Sequence, residues 1–557
     1  MCFNSLKTLT FHLLSASLIT IAVQQNGFAQ NNPLPTPTNK VIIKNGPEVE
    51  VRKSSLDDMA GYDETGYYIV RRQKKALFLE RLGTNMNIAK SVKIEPKLKY
   101  KNMRATFKRC RMFNGNLYMF WQAADTRSMI LINLVQQVNK QTLLPEGEIR
   151  ELNKITFPGR RSMNRAMVYG SFSSVIVSEN ETKVMMIRPE EREDEASPTS
   201  YEKMTMEVYD DQLNKLWEKD ITIPRARNTF SIQNIRIEDD GTIYVRGVET
   251  QERSTARQSR RSGKPDYKYY IYRIAENGAA ITEIPITLED KFVTDVTAST
   301  TTNGDIVLAG FYSEKGTYSI KGVFYQRISG KTEEVLVRKT TEFDKAFITQ
   351  YASEREVKRI EKRERRGEEP ELFEFDMDNF LLREDGGGTL VAEQFYIYIE
   401  TQTFTGANGQ TTTRTIYHYY YNDILVLNFN ASGDLVWKCK IPKRQHTTND
   451  GGYYSSYALM MQGDKLFFIY NDNPKNLTLN ENEAPADAYR NRREMAVVIA
   501  EVTAEGTITR ELLVATERGE VIVRPKVCEQ TAANEMLMYS ERPGVFQFSN
   551  VVFKTPQ

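Results

Sequence analysis

Along this chain a short polar turn, usually carrying Gly, opens again and again onto a run of apolar residues. The unit reads TGYYIVRR at Thr65, NGNLYMFW at Asn114, DGTIYVRG at Asp240, NGDIVLAG at Asn303, GGTLVAEQ at Gly387 and QGDKLFFI at Gln462. Each is preceded or followed by further strand-like runs with a different alternation. The third block shows the plan in full, as FSSVIVSE, KVMMIRPE, MTMEVYDD and KLWEKDITIP. Runs of this length, rich in Val, Ile, Tyr and Phe and separated by turn residues, are strands. Strands returning in sets of four at long intervals predict repeated sheets set around an axis. The fold class expected is therefore all-β, a β-propeller of about seven to eight four-stranded blades. Stacked β-sandwiches are the competing arrangement. The blade number depends on whether the block at 61–94 is a whole blade. Residues 41–52 are expected to pair with the tail at 520–554, because closure removes exposed sheet edges.

One sub-signature recurs. VYDDQLNKLWEKDITIP and LNFNASGDLVWKCKIP each pass from a third strand through a polar turn into a fourth. Each puts a Trp, Trp217 or Trp437, early in that outer strand, where the indole is expected to stack on the neighbouring sheet.

The repetition breaks in three places. Residues 188–202 are acidic and 251–268 are basic and Ser-rich, and both read as solvated loop tips. Residues 344–366 change to a helical period. Phe347, Tyr351, Val357 and Ile360 form a candidate apolar stripe, Glu354 and Lys358 an i,i+4 pair, and Gly367 a stop.

The N-terminus has the form of an export signal. Lys7 precedes the apolar stretch FHLLSASLITIAV, and Gly27 and Ala29 supply small residues before a cut at Gln30. The organisation expected is a signal at 1–29, a Pro-rich linker at 30–40 and the propeller at 41–557. No other stretch has membrane-spanning length. The formal charge of +2 in 557 residues gives no global field suited to nucleic acid or anionic lipid. Cys110, Cys439 and Cys528 are too few for a disulfide framework, and they read as small buried hydrophobes, with one bridge left open.

Chemistry is sparse. Beyond the signal there are two histidines, His418 and His446, with no local metal-ligand spacing, so no metal and no cofactor is expected. His418, in IYHYYYND, reads as a cross-strand packing residue. No nucleophile elbow, Walker loop or dinucleotide fingerprint occurs. Asp385 through Gly388 reads as a turn, and Asn471-Asp472-Asn473 as a turn that lacks the Gly and Glu of a calcium loop. Asp376, Asp378 and Glu393 are candidate carboxylates for glycoside chemistry, but sequence sets no distance between them. The least ordinary stretch is 441–457, IPKRQHTTNDGGYYSSY, which joins an outer strand to the next inner one. Lys443, Arg444, Gln445, His446, Asn449, Asp450, Tyr453 and Tyr454, with Glu393 facing the same connection, form the candidate contact set for a polar ligand. The plainer reading is a well-bonded turn fixing blade to blade.

YYYNDILVLNFNASGDLVWKCKIPKRQ, NDGGYYSSYALM and IYNDNPKNL, with the charged helix and ELFEFDMDNFLLREDGGGTLVAEQ, resemble an exported β-propeller-like protein family of Bacteroidetes-type bacteria. The likeness covers mainly 344–477. It implies an envelope location, in the periplasm or at the cell surface, and supplies no catalytic residue. The expected function is a non-catalytic propeller binding a protein or glycan partner, and no nucleic acid. A carbohydrate-active enzyme on the same scaffold and a structural envelope component are the alternatives.

Overall fold

The computed structural model describes residues 35–50, 54–169, 175–189, 200–250, 267–284, 286, 288, 291–314, 319–405, 408–489, 494–517 and 520–554. The export signal, residues 30–34 of the linker, most of the acidic 188–202 segment and nearly all of the basic 251–268 segment lie outside these residues.

Eight antiparallel sheets of four or more strands follow one another along the chain, and none borrows a strand from a sequence neighbour. Blade 1 spans Ser54–Asp63 to Ile88–Ile94, blade 2 Lys97–Tyr100 to Pro145–Thr156, and blade 3 Val175–Val177 to Lys215–Ala226. Blade 4 spans Phe230–Ile237 to Ala280–Ile284, blade 5 Phe292–Thr300 to Val335–Glu342, and blade 6 Phe375–Leu382 to Leu435–Ile441. Blade 7 spans Ala458–Gln462 to Ile508–Glu517. Blade 8 is built from Ile522–Val523, Glu529–Ala532, Glu535–Arg542 and Val545–Phe553 and completed by the N-terminal strand Val41–Asn45. That strand pairs antiparallel with Val545–Phe553, Val41 opposite Phe553 and Asn45 opposite Ser549. The closure joins the two ends of the chain in one sheet and covers the edge of Val545–Phe553. The protein is an eight-bladed β-propeller, the upper of the two numbers expected, because the block at 61–94 is a whole sheet.

The second strand of each blade explains why the pattern was readable. Gly66–Gln73 is buried through Arg71, and every residue of Ile306–Ser313 is buried. Neighbouring blades cover both faces of these strands, so the apolar run is continuous and does not alternate. The cores lie between blades. Val307, Phe311 and Tyr325 of blade 5 pack on Leu390, Leu425 and Phe429 of blade 6, and Val391, Val426 and Ile441 of blade 6 on Phe468, Tyr470 and Val498 of blade 7.

The two tryptophans act as the hairpin signature foretold. The Trp437 Nε1–H donates to the Ala504 carbonyl of blade 7 at 2.7 Å, and its ring lies over Gly506 in that blade's last turn. Trp217 lies the same way over Gly278 of blade 4. Both glycines have positive φ, +80° and +81°, and a Cβ at Gly506 would sit 2.6 Å from the indole. The turn therefore needs glycine twice over.

The helical insertion is two helices, Lys345–Thr349 and Glu354–Glu364, and not one. Asp344 caps the first, and a Ser353/Glu356 capping box starts the second. Phe347 and Ile348 are buried, whereas Val357 and Ile360 are only half-buried, so the apolar stripe is split between the two pieces. The Glu354–Lys358 pair forms at 3.3 Å and Gly367 follows with φ +79°. A third helix, Arg160–Tyr169, between blades 2 and 3, was not foreseen, because its Arg-rich sequence has little apolar period. Cys110, Cys439 and Cys528 are free thiols. Burial pushes the Cys439 and Cys528 thiols up to about 12.

Candidate functional site

The largest departure from the repeat lies in blade 6. Its two central strands are Gly388–Thr405 and Thr411–Phe429, paired from Gly388–Phe429 out to Thr405–Thr411. The inner strand of the blade reaches only to Gln394, and the outer strand only to Ile424. Past that point the hairpin continues as a two-stranded arm, braced near its base by the short strand Gln445–Thr448 against His418–Tyr421, by Asn449 on Tyr417 and by Lys526 on Tyr421.

Strand alternation gives the arm two unlike faces. One carries Phe395, Ile397 and Ile399 opposite Tyr421, Tyr419 and Tyr417, then Thr401, Thr403 and Thr405 opposite Thr415, Thr413 and Thr411. It has no charged residue. Ile397, Ile399 and Tyr417 are 46%, 56% and 43% exposed, which is unusual for side chains of this size. The other face carries Tyr396, Tyr398, Glu400, Gln402, His418 and Tyr420, and meets the connection that leads to blade 7.

That connection is the stretch singled out from sequence, and the same alternation divides it. Lys443 and Gln445 point inward and are fully buried. The Lys443 ammonium donates to Glu393 at 2.6 Å, to the Tyr421 carbonyl at 3.0 Å and to Gln445 at 3.1 Å. The second oxygen of Glu393 accepts from the Ser456 hydroxyl at 2.7 Å, and the Gln445 amide donates to the Asn471 carbonyl of blade 7 at 2.7 Å. Lys443, Gln445 and Glu393, expected at a ligand, are instead spent on each other and on the blade 6–blade 7 junction. A buried ion pair of this kind is tolerable only when every lone pair and proton is placed. Asn449 has φ +56°, and its side chain accepts from the Tyr417 N–H. Asp450 accepts from Thr447 at 2.5 Å and from the Gly452 N–H at 2.9 Å, which makes an Asx turn. Tyr453 lies under the Arg524 guanidinium at 3.8 Å, and the Tyr454 carbonyl accepts from Asn471 and Tyr489. These four also serve the turn.

Arg444 and His446 point the other way, into a cleft of about 510 Å³ that Pro485, Ala486, Asp487 and Tyr489 complete. The His446 ring stacks on Tyr420 at 4.4 Å, and Tyr420 on Tyr396 at 4.5 Å. His418 was read as a packing residue. It lies across from Tyr398, and in addition its Nδ1 is 3.0 Å from His446 Nε2 and its Nε2 is 3.0 Å from Glu400. Sequence spacing hid this trio, since the three residues sit on three strands.

The carboxylates Asp376 and Asp378 lie on the inner strand of blade 6. Asp378 is the extra residue of a β-bulge there, and it lines a cavity of about 280 Å³ with Asn234, Arg246, Thr297 and Asn379. Bulges recur at comparable places in the inner strands of blades 1, 2, 4 and 5. A bulge re-aims one side chain per strand. Burial first, and then Glu393 nearby, pushes Asp378 up to about 7, while Tyr457 donates to it at 2.6 Å. Burial and the neighbouring Asp295 raise Asp376 to about 6. Asp295 itself is engaged by Arg246 at 2.8 Å. Asp472, in the triplet read as a turn, is 1% exposed and accepts from Asn476 and the Asn473 N–H. Among the described residues no group of three or more His, Cys, Asp or Glu could hold a metal, and no helix is long and apolar enough to cross a membrane.

No family model and no curated protein matches this chain. Solved structures do. Prolyl oligopeptidase B from Galerina marginata is 9% identical over 88% of this chain, with a TM-score of 0.36. The WD40 domain of SCAP from fission yeast is 10% identical over 95% of this chain and 99% of its own, at 0.26. An oligogalacturonate lyase in complex with manganese is 9% identical over 92% and 91%, at 0.32. The chain spans 55% of the length of the prolyl oligopeptidase it matches. Peptidase, lyase and WD40 domain differ in what they do, and at such identity no activity passes from them to this chain.

Proposed function

We propose that this protein is an exported, non-catalytic propeller whose working surface is the blade 6 arm, and that the arm inserts into a groove on a protein partner in the cell envelope. The observation that carries this reading is the exposed Ile/Tyr/Thr face of the hairpin beyond Tyr421, where Lys526 covers the base; Ile397, Ile399 and Tyr417 stand 46%, 56% and 43% exposed. An isolated two-stranded ribbon is marginal in water, and its outer edges present unpaired backbone groups. The free strand edges favour insertion over a dimer of arms. At 3.4 Å per residue the arm is roughly 35 Å long and roughly 10 Å wide, about 350 Å² a face. Two arms meeting face to face would bury about 700 Å², below the 1,200–2,000 Å² of a stable interface. A groove that covers the Ile/Tyr/Thr face and also pairs the free strand edges adds main-chain hydrogen bonds that two stacked arms lack. The export signal and the family resemblance support the envelope location.

A photo-cross-linking residue at position 399 tests this, with one at exposed Leu336 as control. The protein captured from envelope extract is then purified and its binding measured. Ile399→Arg with Tyr417→Glu is expected to weaken it at least 100-fold. Equal capture at 336, or unchanged affinity, defeats the reading.

One observation favours the enzyme alternative. Asp378, raised to about 7 by burial and Glu393 and lining a cavity, is placed as a general acid would be. Turnover of a polysaccharide library that Asp378→Asn abolishes would support that reading; the binding account expects none.

A further inference from the structure

The polar face of the arm carries an arrangement that protein docking does not use. The Glu400 carboxylate can only accept, so the His418 proton that faces it is on Nε2. In the neutral ring His418 Nδ1 is then an acceptor, and the hydrogen bond at 3.0 Å has His446 donating from Nε2. The Nδ1 of His446 is left bare. One carboxylate at the solvent end thus sets the tautomer of an imidazole two residues away in the chain of hydrogen bonds. Gln402 donates to the other Glu400 oxygen at 2.9 Å and holds the carboxylate in place.

His446 faces the 510 Å³ cleft beside Arg444, and the Arg444 side chain has no hydrogen bond or ion pair among the described residues. Burial lowers the His446 pKa, with Asp487 and Asp450 raising it and His418 and Arg444 lowering it, so the ring is neutral and its lone pair available at pH 7. Asp487 is partly committed to its own turn, where it accepts from the Tyr489 N–H.

We propose that the cleft is a binding site for a small hydroxy-carboxylate, such as a sugar acid, whose carboxylate meets the Arg444 guanidinium while a neighbouring hydroxyl donates to the bare Nδ1 of His446. Guanidinium and carboxylate match in fork geometry, and a neutral imidazole acceptor one residue further along the same strand face selects a ligand with an O–H beside its charge. Tyr489 and the Tyr420/His446 stack supply flat walls. Glu400 and His418 are positioning residues, for they fix which nitrogen of His446 accepts. The site is on the opposite face of the arm from the proposed docking surface and stands or falls separately from it.

The test is a titration of the histidine ring signals by NMR at pH 8, with gluconate, glucitol and acetate as probes. Gluconate is expected to move the His446 signals saturably, with a midpoint on the order of millimolar. Glucitol, without the carboxylate, and acetate, without the hydroxyls, are expected to bind at least 10-fold more weakly. Arg444→Gln should cost gluconate at least 10-fold. Glu400→Gln should let His446 exchange tautomers, visible in its ring nitrogen shifts, and weaken gluconate 3-fold or more. A His446 signal that gluconate does not move overturns the proposal. So does acetate binding as well as gluconate, or an Arg444→Gln variant that binds unchanged.

Discussion

One hairpin in this protein lives in two environments. At its base Leu390, Val391 and Ala392 run opposite Leu427, Val426 and Leu425, and all six are fully buried between blades 5 and 7. A few residues further out, in the same strands and the same register apart from one slip at Glu393/Phe395, Ile397 and Ile399 stand about half exposed. Strand propensity and cross-strand pairing are alike in both halves, so they do not explain the difference. What differs is whether a neighbouring blade covers the face. The base belongs to the fold, and the arm requires a reason outside it.

Substitutions should separate the two halves, and the largest effect belongs to the base. Phe429→Ala empties a site that is 1% exposed and packs on Tyr325 at 5.7 Å, and is expected to cost about 3–5 kcal/mol in denaturant titration. Lys443→Met should cost about 3–5 kcal/mol, because it strands Glu393 as a buried charge; adding Glu393→Leu should recover most of that. Gly506→Ala should cost about 1–2 kcal/mol from the positive φ, and more if the Trp437 indole cannot shift. Next comes pH. The folded-state pKa of Asp378 is raised, so the native state holds its proton longer than the unfolded chain does. Stability from this group therefore falls as pH rises from about 4 to about 7, and Asp378→Asn should flatten the melting temperature over that window. The smallest effect belongs to the arm. Ile399→Thr should change stability by less than about 0.5 kcal/mol, since the side chain is 56% exposed and both residues favour a strand.

How much of this was legible follows from the same distinction. The blades were, because a second strand covered on both faces must be apolar throughout, as in Ile306–Ser313. The closing strand at Val41 was, because an open edge needs a partner. The arm was not. TQTFTGANGQTTTRT has no apolar period, and the sign that it continues a strand is its β-branched Thr on either side of Gly-Ala-Asn-Gly. Within 441–457 the sequence grouped residues that strand alternation separates. Reading it as a strand from Gln445 would have put Lys443 and Gln445 on one side and Arg444 and His446 on the other. The Glu400–His418–His446 chain depends on register across three strands, and no spacing along the sequence encodes it.

Replacing residues 399–417 by Asn-Gly, a turn suited to a two-residue hairpin, tests the central claim most directly, by melting the variant and measuring its binding to the purified partner. A melting temperature within about 2 °C of the parent, with partner binding lost, is the result expected. A fall as large as that of Phe429→Ala would make the arm part of the fold, and retained binding would place the working surface elsewhere.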